Sequence, residues 1–325
     1  MENSSTVKFF SLSGLQETRT NKFLYFVLTL LIYLLIILCN LILILTIIVE
    51  KGLHEPMYIF VCNLCANGLF GTVGFYPKIL VDLLSDIHTI SYGGCMTQVY
   101  FIYSSVLCEI TILTAMAYDR YVAICKPLNY HAVMTSLMIC KLLLFAWCFP
   151  LFSAAVLISF TATMPLCGSH IQKLYCDNWS VVKLSCVPTT LNNVCAYIII
   201  LSQMAQVVFI MYSYVLIVSV CVKSKEGRTK FMQTCLPHLL ALINFCIATL
   251  FDVFHSRYGA SQLPLSLRNI MAIEFLVIPP LINPIIYGLS LREIKRRILK
   301  VFDGRCKDSQ GPTKQTRQQK NGNRG

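Results

Sequence analysis

Seven apolar stretches constrain this chain more than any other feature. They run about Phe23–Ile48, Tyr58–Leu80, Ser91–Ala123, Leu137–Phe160, Asn193–Val222, Phe231–Phe254 and Asn269–Leu289. A helix needs about 20 apolar residues to cross the hydrocarbon of a bilayer, and each stretch is long enough. Backbone amides inside lipid must be satisfied within their own segment, so helices are the expected form. Composition agrees: 56% of residues are hydrophobic and only 13% are charged, against about 25% charged in soluble domains. The expected fold class is an all-α membrane protein, a bundle of seven transmembrane helices.

Basic residues set the expected orientation. Lys51 follows the first stretch, Arg120 and Lys126 close the third, and Lys223, Lys225, Arg228 and Lys230 follow the fifth. Arg292, Lys295, Arg296, Arg297 and Lys300 follow the seventh. All fall on one side, which the positive-inside rule makes the cytoplasm. The chain is therefore read as an extracellular N-terminus (1–22), a seven-span domain (23–289), a membrane-surface helix 8 (290–302) and a disordered cytoplasmic tail (303–325). Leu291, Ile294, Ile298 and Phe302 lie at helical spacing on one face of that short helix, with basic residues on the other, an amphipathic pattern suited to membrane lipid. Residues 1–22 are mostly polar and lack a cleavable leader, and Asn3-Ser4-Ser5 is a glycosylation acceptor if this end is outside. The net charge of +12 gives no case for nucleic acid, because no soluble basic domain presents it.

The third stretch ends in Met116-Ala117-Tyr118-Asp119-Arg120-Tyr121-Val122-Ala123-Ile124-Cys125. A charge in hydrocarbon costs several kcal/mol, so an adjacent acid and base belong at the membrane interface, where an anchoring role alone would account for them. Pro56-Met57-Tyr58 opens the second stretch and Pro77-Lys78-Ile79-Leu80 closes it. The sixth begins Lys230-Phe231-Met232-Gln233-Thr234-Cys235-Leu236-Pro237-His238, and the seventh carries Pro279-Pro280-Leu281-Ile282-Asn283-Pro284-Ile285-Ile286-Tyr287. Together, in this order, these motifs resemble those of odorant receptors in the rhodopsin-like G-protein-coupled family, over essentially the whole chain from Phe23 to Ile298. Cys62-Asn63-Leu64-Cys65 and the run from Gly68 to Pro77 look like the teleost branch, which would mean water-borne ligands.

That resemblance implies roles for particular residues. Asp119, Arg120, Tyr121, Tyr214, His238, Asn283, Pro284 and Tyr287 would form the switch and the contact for a heterotrimeric G protein, of the olfactory stimulatory type that raises cyclic AMP. Cys95–Cys176 would tie the third span to the following outer loop, and Cys167–Cys186 would close that loop; the sequence alone permits three pairings of these four cysteines. Departures also stand out. Gly68 occupies the place of the family's mid-span aspartate, so no sodium site is expected, although Glu109 keeps the membrane-embedded acid. Pro237 replaces a serine and should bend the sixth span near its inner end. Asn178-Trp179-Ser180 is a second sequon beside Cys176.

A pocket for a small odorant is expected beneath the outer loop. Val99, Ile102, Tyr103, Val106 and Leu107 share a broad face of the third span at helical spacing. Cys246, Thr249, Leu250 and Val253 from the sixth and Ile273 and Val277 from the seventh complete it, with Asp252, Arg257 and Arg268 at the rim. Helix packing alone would explain the apolar members equally well. No enzyme is expected: His131, His238 and His255 are scattered without metal-ligand spacing, and neither a hydrolytic constellation nor a cofactor motif stands out. Two other classes compete: a channel or secondary transporter, which would show an internal repeat, and a rhodopsin-like receptor for some other small molecule.

Overall fold

A chain this apolar must satisfy its backbone locally, and it does so with long helices. The computed structural model describes residues 7–13, 19–258, 265–291 and 293–298, of which 19–20, 226, 230, 233 and 250–275 are described by backbone alone. Among the described residues the long helices are α1 (Arg19–Val49), α2 (Pro56–Leu84), α3 (Tyr92–Cys125), α5 (Ser136–Ala162), α7 (Thr190–Cys221), α9 (Leu236–Tyr258) and α10 (Leu265–Ser290). Three short helices intervene: α4 (Tyr130–Val133), α6 (Asn178–Val182) and α8 (Lys225–Thr234). Five of the long ones are individually apolar enough to cross a membrane, and α9 and α10 contain the apolar runs Leu236–Thr249 and Leu276–Ser290. The fold is a seven-transmembrane bundle.

The hub of the bundle is α3. It packs on α2, α5, α7 and α9, while α10 closes the ring against α1, α2 and α9. The α2–α3 contact is close because two positions on α2 lack a side chain: a Cβ on Gly71 would lie 2.9 Å from the Ser105 Cβ, and one on Gly74 only 2.8 Å from the Phe101 Cβ. The largest buried cluster includes Leu113, Met116, Ile217, Leu242 and Tyr287 and fills the half of the bundle that carries Asp119. Leu31, Leu38 and Leu45 on α1, Phe152 on α5 and Leu201, Val208 and Val215 on α7 are exposed, an apolar belt that suits lipid.

Two features correct the purely helical expectation. Residues Phe9–Leu12, read as part of the mostly polar extracellular N-terminus, form β1. It pairs antiparallel with β2 (Thr89–Ser91) and parallel with β3 (His170–Ile171), giving a three-stranded sheet of order β2-β1-β3 at one end of the bundle. The strand is short but alternating: Phe10 and Leu12 are buried with Ile90, Val99 and Ile171, while Phe9 is exposed. The sixth apolar stretch is also divided, with α8 ending at Thr234 and α9 beginning at Leu236. Pro237 has no amide hydrogen for the preceding turn, so the break falls where the ring would otherwise meet that turn's carbonyl.

Beyond α10, residues 293–298 are helical. Leu291 and Ile294 are buried and Ile298 packs on the same cluster, while Lys295 and Arg296 face out. Arg297 Nη1 meets Glu50 Oε2 at 2.8 Å, tying this segment to the turn after α1. Phe302 and the tail 303–325 lie outside the described residues, as does Asn3.

Candidate functional site

At the end of the bundle opposite the sheet, Asp119 is wholly buried. Arg120 Nε donates to its Oδ2 at 2.8 Å, and the Tyr130 hydroxyl donates to its Oδ1 at 2.8 Å. Both carboxylate oxygens are thus occupied, one by a charge-assisted bond. Burial, and then the adjacent Asp119 carboxylate, push the Tyr130 phenol well above its ordinary pKa, so it remains a donor. Tyr121 stands next along α3, half-buried, with the Lys126 ammonium 5.6 Å from its ring.

His238 bridges three helices. Its Nε2 lies 3.0 Å from the Leu113 carbonyl, and its Nδ1 lies 2.6 Å from the Tyr214 hydroxyl. A carbonyl can only accept, so Nε2 carries the proton and Nδ1 accepts from Tyr214. One neutral imidazole thereby links α9 to α3 and α7, with the two rings stacked at 5.4 Å. Farther up α10, Asn283 Nδ2 donates to Glu109 Oε1 at 2.8 Å. Asn40 bonds the Pro280 carbonyl at 2.8 Å, one of the groups that the prolines of this helix leave without an amide partner. Pro284 is buried within the helix, and the Tyr287 hydroxyl is buried without a hydrogen-bond partner among the described residues. Gly68 abuts Asn40 and Pro280, each 3.4 Å from where its Cβ would be.

At the sheet end, Cys95 is bonded to Cys176 and Cys167 to Cys186. Gln98 reinforces the first tether: its Nε2 donates to the Gly74 carbonyl at 2.8 Å, and its Oε1 accepts from the Cys176 amide at 2.7 Å. The loop held in this way descends as α6 into the mouth of the bundle. Asn178 there is 5% exposed, and its Oδ1 accepts from Thr161 Oγ1 at 2.6 Å. This sequon is buried in the structure.

Beneath that loop lies a cavity of about 320 Å³ between α3, α5, α7 and α9. Tyr103, Val106, Leu107 and Ile110 of α3 line one side, Phe245, Cys246 and Thr249 of α9 another. The remaining wall is α7, from Asn192 to Val207, with Leu157 of α5, and its cover is Asp177, Asn178 and Trp179. The expected pocket residues divide accordingly. Tyr103, Val106, Leu107, Cys246 and Thr249 border this space. Val99 instead packs beneath the sheet, while Ile102, 1% exposed, packs with Phe75 and Tyr76, and Val277 lies against that same cluster. The side chains of Leu250, Val253 and Ile273, and of the rim residues Asp252, Arg257 and Arg268, lie outside the described residues. The α7 wall and the loop cover were not foreseen; single amides such as Asn192 and Gln203 inside an apolar run were the available signal.

A family model described as olfactory receptor matches residues 29–305. The chain belongs to the olfactory receptor family. Human (Homo sapiens) Olfactory receptor 6N1 is 34% identical over 302 residues, covering 91% of this chain and 95% of the relative. Human Olfactory receptor 8D1 is 35% identical over 311 residues, covering 94% and 99%. The similarity spans both ends of this olfactory receptor, so the cavity and the Asp119 end fall within one shared architecture. With its apolar helices, this olfactory receptor is a multi-pass plasma-membrane protein.

Proposed function

We propose that this receptor binds a small odorant in the cavity between α3, α5, α7 and α9 and passes the signal to a heterotrimeric G protein at the Asp119 end, raising cyclic AMP. The observation that carries the reading is the cavity itself: its size suits a small molecule, its wall is mostly apolar, and a disulfide-tethered loop covers it. The sheet end faces outward and the Asp119 end inward. Two disulfides at the sheet end call for an oxidising compartment, and the basic loops at the other end suit the cytoplasmic side. In that orientation Asn3 is available for glycosylation. The resemblance of Cys62–Cys65 and of the run from Gly68 to Pro77 supports a water-borne odorant.

Transmission follows from population shift: an odorant that prefers the arrangement with α9 displaced from α3 and α7 draws the receptor towards it. Arg120, Tyr121, Tyr214 and Tyr287 then line the cleft offered to the G protein, with Asn283 and Pro284 as the hinge of α10. The test is a cyclic-AMP reporter screen of odorant mixtures, followed by Leu107→Trp, Tyr103→Phe and Thr249→Val at matched surface expression. The indole should fill the cavity and silence every agonist, while the two hydroxyl deletions should lower potency. Full responses in the Leu107→Trp receptor would place binding elsewhere.

A further inference from the structure

Gln203 stands apart from the other buried amides of the bundle. Asn40, Gln98 and Asn283 each make a bond to a neighbouring helix. The amides at the covered end satisfy one another through Thr161: Asn192 Nδ2 donates to Thr161 Oγ1 at 2.7 Å, and Thr161 Oγ1 donates to Asn178 Oδ1 at 2.6 Å. Gln203 does neither. Both its Oε1 and its Nε2 are buried and, among the described residues, have no hydrogen-bond partner. It borders the cavity on the α7 wall, where its nearest neighbours along the helix are the apolar Ile199, Ile200, Met204 and Val207. An amide left with both functions unused within a membrane helix is costly, and it is kept where something else completes it.

We propose that Gln203 is the recognition point for the polar head of the odorant, and that the receptor selects an uncharged amphiphile whose head both donates and accepts a hydrogen bond, such as an alcohol or a primary carboxamide. This rests on the cavity being the odorant site. The side-chain carbons of Gln203 border the cavity while Oε1 and Nε2 are covered, so binding turns the amide from the wall into the space. A hydroxyl then donates to Oε1 and accepts from Nε2, and a carboxamide does the same with its own two ends. An ether accepts only, and would leave Oε1 unpaired. An ionised acid likewise only accepts, and would also leave Oε1 unpaired. The chain of the odorant lies against Val106, Leu107, Ile110 and Phe245, which line the same space.

The experiment uses the full-length receptor in cells with a cyclic-AMP reporter. The probes are straight-chain alcohols from hexanol to decanol, the corresponding primary carboxamides, their methyl ethers and the carboxylates. Wild type should respond to alcohols or carboxamides in preference to ethers and carboxylates of equal length. Gln203→Met keeps the length of the side chain and removes both polar functions; it should weaken those responses about tenfold or more, leaving ether responses nearly unchanged. Gln203→Asn, which keeps the amide but shortens its reach, should weaken them too, and it decides the matter if the methionine variant fails to reach the surface. A wild type that prefers ethers or carboxylates, or that ignores every alcohol and carboxamide, overturns the inference. So does an alcohol potency within about twofold of wild type in a surface-expressed Gln203 variant. Leu107→Trp separates the two levels: if it leaves agonist responses intact, the cavity reading itself fails, whatever Gln203 does.

Discussion

The Tyr214 hydroxyl donates to His238 Nδ1 across 2.6 Å, and this single bond joins α7 to α9 in the half of the bundle where Arg120 is held by Asp119. It is buried, and His238 has already used its other nitrogen on Leu113, so neither partner can readily find a substitute. The bond therefore favours the arrangement in which α9 lies against its neighbours. Tyr214→Phe leaves Nδ1 unsatisfied, at a cost of about 1–3 kcal/mol, and should raise basal cyclic AMP per surface receptor. His238→Leu should do likewise. Basal signalling equal to or below wild type in both variants would mean that the bond does not bias the equilibrium.

Arg120 provides the complementary prediction. Arg120→Ala should abolish agonist-driven cyclic AMP while the receptor still reaches the surface, since the guanidinium is the contact proposed for the G protein. Asp119→Asn should instead raise basal output, because it removes a charge-assisted bond worth about 1.5–3 kcal/mol. Surface-normalised reporter assays distinguish the two, and normal agonist signalling from Arg120→Ala would refute the assignment.

The cover over the cavity depends on the joint between Gln98 and Cys176. Losing a native disulfide costs about 2–5 kcal/mol, so Cys95→Ser and Cys176→Ser should largely eliminate surface staining of a tagged receptor. Gln98→Leu leaves the sulfurs bonded but orphans the Cys176 amide. It should reduce surface expression less than either cysteine variant; an undiminished surface level would show that the amide bridge adds nothing to the disulfide.

Close packing of α2 on α3 gives a prediction of reversed form. Gly71→Leu forces a side chain into the space held by Ser105, and overpacking of this kind costs about 1–3 kcal/mol. Surface expression should fall, and Ser105→Gly in the same chain should recover part of it. If the double variant is no better than the single, the clash lies elsewhere.

Much of this receptor was legible in its residues, for identifiable reasons. Seven apolar runs can be satisfied in lipid only as helices, so the bundle follows from hydropathy. Asp119-Arg120-Tyr121 and Asn283-Pro284-Ile285-Ile286-Tyr287 stood out because polar residues are rare in such apolar runs. The break before Pro237 followed from a missing amide hydrogen. What only the tertiary structure decided were relations between segments distant in the chain. Phe9–Leu12 reads as part of a polar N-terminal segment until β2 and β3 offer it backbone partners, and no local propensity announces a strand whose ladder is made elsewhere. Val99 and Ile102 share the apolar face of α3 with Leu107, yet the sheet and α2 take the first two into packing and only the last borders the cavity. Gln203 is one amide in a long apolar run; its two unused hydrogen-bonding functions acquire meaning only when the folded loop, α3 and α9 enclose the space beside it. Hydrophobic period determines which segments cross the membrane, whereas the rotation and tilt of each helix, set by packing, determine which side chains meet a ligand.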